Sequence, residues 1–231
     1  MLDPLFYASR PWYGAFLAQR SLRVVTQPTG EQITLDQART HLRLDTYGSP
    51  LAHPDDDIIE TVYIPAAREM CEMLSGRAMA PTVYELGLGA FPAGCARYPF
   101  GGIDLRIGPV SAITAVEYTD AAGATVALVE GTDYQTDRWT EPGYVYPEYN
   151  TSWPTARAAS NAVRVRFTSG YELPAASPQD VPLPNMYRMA MLLLLGHFYE
   201  NREETSAVVL STIPMGVRAL LDPDSLRIGF A

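Results

Sequence analysis

A run of seven apolar residues at positions 189–195 constrains the fold of this chain more than any other feature of its sequence. The run lies in a segment of helical character, residues 185–203, and makes that predicted helix apolar all round. It is far shorter than the roughly 20 residues that cross a bilayer, so we expect no membrane insertion. A helix of this kind in water has to be covered on every side. We therefore expect it at the centre of a bundle or at an interface between subunits.

Apolar residues recur at helical spacing in three further segments, which are residues 35–44, 56–75 and 215–221. Thr34 and Gln37 have the spacing of a capping box at the start of the first segment. The acidic run 55–57 precedes the second, where its carboxylates suit the positive end of the helix dipole, and we expect it to cap that helix. Pro65 lacks an amide hydrogen and predicts a kink inside the second helix, and Gly76 suits its C-terminal end.

The pattern changes at Pro81, and from there to Tyr171 the sequence has the character of β-structure. Candidate strands are residues 82–88, 103–107, 113–119, 124–129, 134–137 and 162–168. In the last of these, Val163, Val165 and Phe167 alternate with polar residues, which is typical of a half-buried strand. Residues 120–123 have the character of a hairpin turn. The long loops are rich in Gly, Pro and Tyr.

These elements predict an α+β fold, with a small bundle of about four helices built from both chain ends and an antiparallel β domain inserted between them. The predicted parts are an N-terminal extension (1–30), the first part of the bundle (31–80), the β domain (81–172), the second part of the bundle (173–223) and a C-terminal tail (224–231).

Both terminal segments have features of partner-binding segments. The extension contains five aromatic residues without a sustained period, namely Phe6, Tyr7, Trp12, Tyr13 and Phe16. Because exposed aromatic patches usually mark contacts, we expect the extension to pack on a neighbour. In the tail, Leu226, Ile228 and Phe230 alternate with other residues, which suits a strand that adds to a partner's sheet edge.

The charge of the chain argues against a protein that grips DNA by its phosphates. All seventeen basic residues are arginine, Asp and Glu number 26, and the net charge is −9. A DNA-gripping surface needs a basic face, whereas an acidic channel wall repels DNA and prevents it from sticking. Residues 1–23 lack the pattern of a secretory signal, so we expect folding in the cytoplasm, with Cys71 and Cys95 as reduced thiols.

No set of residues predicts catalysis, a cofactor or a metal site. His197 and Glu200 form only half of a carboxylate di-metal motif, and the acidic run 55–57 lacks the continuation of a calcium loop. The sequence has no Gly-x-Ser-x-Gly elbow, and without lysine it has no P-loop. We expect that the protein is not an enzyme.

The most distinctive local sequence is His197-Phe198-Tyr199-Glu200-Asn201-Arg202-Glu203, a polar cluster at the end of the apolar helix. A salt-bridged helix end accounts for it physically, and Tyr199, Arg202 and Glu203 are also candidates for a subunit interface. The stretch resembles a recurrent motif of phage head–tail connector (adaptor) proteins. Further segments resemble that family in the same order: Ile33-Thr34-Leu35-Asp36-Gln37-Ala38, Asp56-Asp57 through Ser75-Gly76-Arg77, Tyr84-Glu85-Leu86, Phe91-Pro92, Val163 through Tyr171, and Ile213-Pro214 through Leu220-Leu221.

The resemblance implies a ring, a dodecamer in such proteins, that docks beneath the portal and lets DNA pass through its centre without specific binding. It implies as partners other copies of the chain, the portal protein and the next neck or tail protein, a stopper or tail terminator. Portal binding would fall on the tail residues Leu226, Arg227, Ile228 and Phe230. The protein would assemble in the bacterial host cytoplasm and reside in the neck of the virion.

Two other functions remain open at this point. The β domain, with Tyr144, Tyr146 and Tyr149, is the candidate site of a virion binding module that contacts a decoration protein, a fibre or a glycan. A hydrolase with its site in the β domain is a third possibility, although no nucleophile and base converge in the sequence.

Overall fold

The computed structural model describes residues 20–45, 47, 52–93, 101–173, 182–202 and 215–222. These residues confirm the predicted α+β class. Along the chain, helices both precede and follow a region of antiparallel strands. They form two compact units. The β unit comprises the described residues up to Thr26, Val83–Leu105 and Val110–Thr168, and the helical unit comprises Gln27–Thr82, Arg106–Pro109 and the described residues from Ser169 onward.

The described residues form eight strands in two sheets. In chain order they are β1 (Arg20–Thr26), β2 (Thr82–Leu88), β3 (Ile103–Asp104), β4 (Val110–Thr119), β5 (Thr125–Leu128), β6 (Tyr134–Asp137), β7 (Tyr144–Pro147) and β8 (Val163–Ser169). The larger sheet has the order β1-β2-β8-β4-β5, and the smaller one has the order β3-β7-β6. The β4–β5 hairpin pairs Thr119 with Thr125, and its turn closes where the Gly123 amide donates to the Asp120 carbonyl, as the turn residues predicted.

The alternation predicted for β8 is confirmed, because Val163, Val165 and Phe167 are completely buried while Arg164 and Arg166 between them are not. Phe167 stacks on Tyr84 of β2, with ring centroids 5.8 Å apart. These apolar side chains form the centre of the β unit. Their burial stabilises the packing of β2 and β8.

Two strands were not predicted. Strand β1 lies within the predicted N-terminal extension and pairs antiparallel with β2, from Arg20 opposite Leu88 to Thr26 opposite Val83, with a bulge before Thr26. All described side chains of β1 are exposed, so the strand has no period-two pattern of burial to detect. Strand β7 lies in a loop sequence rich in Gly, Pro and Tyr, and it pairs with both β3 and β6.

The described residues of the helical unit form four helices. Helix α1 is Leu35–Leu42. Helix α2 consists of an α-helical turn (Asp56–Ile58), a π-helical turn (Ile59–Tyr63) and an α-helical segment (Ile64–Ser75). Helix α3 is Asn185–Glu200 and helix α4 is Met215–Leu221. Among these helices none is long and apolar enough to cross a membrane.

The helix ends follow the sequence signals in part. The Thr34–Gln37 capping box is present. Helix α1 ends at Leu42, two residues before the predicted end, and Arg43 after it has the left-handed conformation. Helix α2 ends before Gly76, whose φ is 72°. A kink was predicted at Pro65, and the structure has a π-helical turn just before this residue. Pro65 lies in the first turn of the following α-helical segment, where a missing amide hydrogen costs little.

Helix α3 lies in the core of the helical unit, where Tyr187, Ala190, Met191, Leu194 and Leu195 are buried. They pack in one cluster with residues of the other three helices. The described part of one chain does not cover α3 completely, since Met189 is 45% exposed. Of the two locations expected for this helix, the bundle centre is therefore confirmed for one face.

Candidate interaction surfaces

The end of α3 is tied to the start of α2 by one carboxylate. The hydroxyl of Tyr199 donates to Oδ2 of Asp55 at 2.7 Å, and Nη2 of Arg202 donates to the same oxygen at 2.6 Å. The guanidinium carbon of Arg202 lies 4.6 Å from the centre of the Tyr199 ring, and the Tyr63 ring meets that ring edge to face. Hydrogen bonds from Arg202 and Tyr199 lower the pKa of Asp55. Burial and the neighbouring Asp55 carboxylate raise the pKa of Tyr199.

A second ion pair joins α1 to the same turn. Arg39 holds Asp56 through two hydrogen bonds, from Nε to Oδ1 at 2.8 Å and from Nη2 to Oδ2 at 2.6 Å. The backbone amide of His53 also donates to Asp56, at 2.6 Å. The hydrogen bond from Arg39 is the main reason that the pKa of Asp56 falls to about 2. This two-pronged geometry is the stronger form of arginine–carboxylate pairing.

The structure corrects the capping role expected for the acidic run 55–57. Asp55 occupies the N-cap position of α2 and makes no side-chain cap hydrogen bond. Its φ of −92° and ψ of 4° differ from the extended conformation that lets an N-cap side chain reach the first amides. The carboxylates of Asp55 and Asp56 instead bind side chains from α1 and from the end of α3. The run therefore joins three helices.

A buried arginine organises another cluster in the helical unit. The side chain of Arg68 is 6% exposed, and it contacts Glu31 at 3.0 Å and Glu72 at 2.9 Å. Glu72 also accepts a hydrogen bond from the backbone amide of Met79. Burial raises the pKa of both carboxyl groups, while the charge of Arg68 opposes that shift. Such a compensated cluster holds α2 to the chain before α1 and before β2, which is a structural role.

The β unit contains a cleft of about 840 Å³ whose lining includes four aromatic side chains, those of Phe91, Tyr146, Tyr149 and Trp153. Two of these side chains, Phe91 and Trp153, stack with ring centroids 4.6 Å apart and an angle of 11° between the planes. The Tyr118 ring packs edge to face against the Phe91 ring, with ring centroids 5.7 Å apart. The indole Nε1 of Trp153 donates to the carbonyl of Gly101 at 2.8 Å, which fixes the orientation of the ring.

The structure brings together some of the predicted residues. Tyr199 and Arg202 meet at Asp55 within one chain. Tyr146 and Tyr149 both line the aromatic cleft, and Tyr149 is 81% exposed. Tyr144 is half-buried on β7 and is not among the residues that line the cleft. The Phe91–Trp153 stack was not predicted, because its two rings come from loops far apart in the sequence.

Several predicted residues lie outside the described part of the chain. These are Glu203 of the subunit-interface candidates, Cys95, and the tail residues Leu226, Arg227, Ile228 and Phe230.

Within the described ranges, no group of three or more His, Cys, Asp or Glu side chains has the arrangement to hold a metal ion. His197 lies on α3, where its carbonyl accepts hydrogen bonds from Asn201. Cys71 is a buried free thiol whose pKa burial raises to about 12.

Comparison with protein-family models and with curated protein sequences found no match. Comparison with solved structures found matches. This chain shares its fold with chains of gene transfer agent particles. A chain in the virion of a native gene transfer agent particle matches with a TM-score of 0.67 and 24% identity. A chain in the neck of an empty particle, computed with C6 symmetry, matches with a TM-score of 0.69 and 24% identity.

A chain in the neck of a native particle, computed with C12 symmetry, matches with a TM-score of 0.65 and 22% identity. Each of the three matches covers 91% of this chain and 98% of the other chain. The likeness therefore spans both the helical and the β elements, and at these identities it concerns the fold.

Proposed function

We propose that this protein is a structural subunit of the neck of a tailed phage or phage-like particle, a head–tail connector that forms a ring beneath the portal. The observation that carries the proposal is the fold that this chain shares with chains from the necks of gene transfer agent particles. The match extends over 98% of the length of each of those chains. The order of motifs that resemble head–tail connector proteins supports it independently.

A ring of copies fits the exposed features of the helical unit. The neck structures that share the fold were computed with C6 and C12 symmetry, and we propose twelve copies here. Contacts in such a ring are heterologous, so two different surfaces of the subunit must match. Met189 on α3 and Arg202 beyond its end are 45% and 44% exposed. They are candidates for one such surface, together with Tyr199 and Glu203.

The charge of the chain suits a conduit for DNA. With a net charge of −9, copies in a ring present an acidic wall that repels phosphates. DNA would then pass through the ring without specific binding. The same proposal locates the protein in the virion neck after assembly in the bacterial host cytoplasm.

The two faces of the ring would have different partners. We assign portal binding to the tail residues Leu226, Arg227, Ile228 and Phe230, whose apolar members alternate as in a strand that adds to a sheet edge. The opposite face would meet the next neck or tail protein, a stopper or tail terminator.

The arrangement of charged groups favours a structural role over catalysis. Asp55 and Asp56 are held by arginines that lower the pKa of each carboxyl group. A general acid or base works best with a pKa near the operating pH, and these two carboxyl groups are shifted away from it.

The function is tested by measuring the mass of the purified chain, first alone and then after mixing with portal rings encoded in the same gene cluster. We expect a shift to a portal-bound ring, whose mass gives the number of copies. Absence of association at every salt concentration would contradict the connector function.

A variant of the tail sharpens this test. Replacing Leu226, Ile228 and Phe230 by Ser should abolish portal binding while the subunit remains folded. The matched control replaces the neighbouring residues Ser225 and Gly229 by Ala and should bind as the unmodified chain does. Equal binding by both variants would reject the portal-binding role of the tail.

A further inference from the structure

The aromatic cleft of the β unit has the chemistry of a site for an aromatic segment. The stacked rings of Phe91 and Trp153 in its lining are only half-buried, and the lining residue Tyr149 is exposed. Aromatic rings prefer offset-stacked or edge-to-face neighbours, and such pairs stabilise beyond the area that they bury. Three of the lining residues, Pro92, Pro147 and Pro154, stiffen the surrounding loops.

The described lining of the cleft contains one carboxylate beside several neutral polar groups. Glu148 is the single charged residue among those that line it. Its Oε1 accepts hydrogen bonds from the side-chain amide of Gln135 and from the backbone amide of Tyr149. The carboxylate is thus held in position at the cleft, where it favours a partner with one positive charge.

The N-terminal segment of the same chain starts close to this cleft. Strand β1 begins at Arg20, which pairs with Leu88 at the end of β2, and the chain continues from Leu88 to Phe91 in three residues. Paired residues lie about 5 Å apart and a residue spans at most about 3.5 Å, so Arg20 is within about 16 Å of Phe91. The start of β1 and the cleft both belong to the β unit.

The residues that precede β1 match the cleft in composition. Residues 1–19 lie outside the described part of the chain and contain five aromatic residues. Arg10 is the only basic residue among them, and it stands beside the sequence Pro11-Trp12-Tyr13. Trp12 precedes Arg20 by eight residues, enough to reach about 28 Å when extended. Because this length exceeds the distance of about 16 Å from Arg20 to Phe91, Trp12 and Tyr13 can reach the cleft.

We propose that the aromatic cleft binds the chain's own N-terminal segment, with Trp12 and Tyr13 against the Phe91–Trp153 stack and Arg10 paired with Glu148. Closing so short a loop costs little entropy compared with binding a free ligand. The contact covers the aromatic residues of the extension within one subunit, and it would set the path of the N-terminus along the β unit.

Fluorine NMR of the full chain labelled with 5-fluorotryptophan tests this directly, because the chain has three tryptophans. Trp139 is 98% exposed and serves as an internal reference for a solvated ring. We expect the Trp12 signal to show a smaller solvent isotope shift than the Trp139 signal. A Trp12 signal with the shift of a free peptide of residues 1–19 would overturn the proposal.

Two variants define the site. Tyr149→Ala removes an exposed ring at the cleft edge and should move the Trp12 signal towards that of the free peptide, leaving the Trp139 signal in place. The matched control is Tyr47→Ala, which removes an exposed tyrosine of the helical unit and should change neither signal. A Trp12 signal unaffected by Tyr149→Ala would overturn the proposal.

Amide hydrogen exchange gives the reciprocal measurement. In the variant Trp12→Ala/Tyr13→Ala, amides of residues 149–153 should exchange at least about fivefold faster than in the unmodified chain. Protection that persists unchanged in this variant would overturn the proposal. Protection in the unmodified chain should not change on tenfold dilution, and loss on dilution would contradict an intrachain contact.

Discussion

The hydroxyl of Tyr199 at the end of α3 donates a 2.7 Å hydrogen bond to Asp55 at the start of α2, across 144 positions of sequence. Tyr199→Phe removes this donor, and we expect it to lower the free energy of unfolding by about 1 kcal/mol. The measurement is urea unfolding followed by circular dichroism. Tyr47→Phe is the control, since its hydroxyl lies 3.5 Å from Asp45 and is exposed, and it should be nearly neutral. A loss of stability in Tyr199→Phe that persists in the Asp55→Ala background would contradict the assignment.

The Arg39–Asp56 pair predicts a pH dependence of stability. Because the pKa of Asp56 is about 2 in the folded chain, below its ordinary value of 3.8, this carboxylate stabilises the fold above about pH 4. That contribution is lost as the pH falls through about 2. Asp56→Asn should therefore lower the urea midpoint at neutral pH and have a diminishing effect as the solution is acidified. Asp57→Asn is the control from the same helical turn, and an equal pH profile for the two variants would refute the prediction.

Gly170 should tolerate no side chain. It has φ of +130°, and a Cβ there would lie 2.1 Å from the carbonyl oxygen of Ala80. Gly170→Ala combines backbone strain with a clash against main chain, so we expect a loss of more than about 3 kcal/mol or failure to fold. The control is Gly131→Ala, where φ is +79° and a Cβ would meet nothing within 4 Å. It should cost about 1 kcal/mol. The measurement is the melting temperature of each variant. Similar melting temperatures for the two variants would contradict the predicted clash at Gly170.

Gln32 holds three segments of the helical unit together. Its side-chain amide nitrogen lies 2.8 Å from the carbonyl oxygen of Met79, 3.0 Å from that of Tyr171 and 2.9 Å from that of Glu172. Gln32→Met keeps the volume and removes the donor, which should cost about 2 kcal/mol because buried carbonyls lose their partner. In the control Gln37→Met, an exposed capping interaction is lost and the cost should stay below about 1 kcal/mol. Urea unfolding of the two variants gives the comparison, and the reverse ranking would contradict the role of Gln32.

Met189 tests whether α3 takes part in the proposed ring. Met189→Glu introduces a charge on the exposed side of α3, so it should leave the monomer folded and prevent ring formation on the portal. The measurement is the mass of the mixture with portal rings, with far-UV circular dichroism as a check on folding. Val129→Glu, at a 59% exposed position of the β unit, should assemble normally. Rings of normal mass with Met189→Glu would exclude this face from the subunit contact.

Local sequence signals predicted most of the elements. Helix α4 and strands β2 and β6 have the predicted bounds, and the Thr34–Gln37 capping box and the left-handed Gly76 occur where the sequence indicated. Each of these features depends on residues within one or two turns of each other. Periodicity and turn chemistry therefore suffice to locate them.

The functional surfaces were less accessible to such reasoning. Capping was the expected role of the acidic run, because carboxylates before a helix usually serve that purpose. The structure instead gives Asp55 and Asp56 distant partners, Tyr199, Arg202 and Arg39. Likewise, the tyrosine-rich loops indicated an aromatic surface, but not that Phe91 and Trp153 would stack in the lining of a cleft.

The sequence by itself determined the α+β class, the sequence positions of its helices and the burial of one face of β8, because those properties follow from local periodicity. Tertiary structure alone decided that residues 20–26 add a strand to the edge of the larger sheet, that a π-helical turn precedes Pro65, and which charges pair. Edge pairing and ion pairing depend on which segments meet in space, and the free energies that select them belong to contacts between residues far apart in the chain.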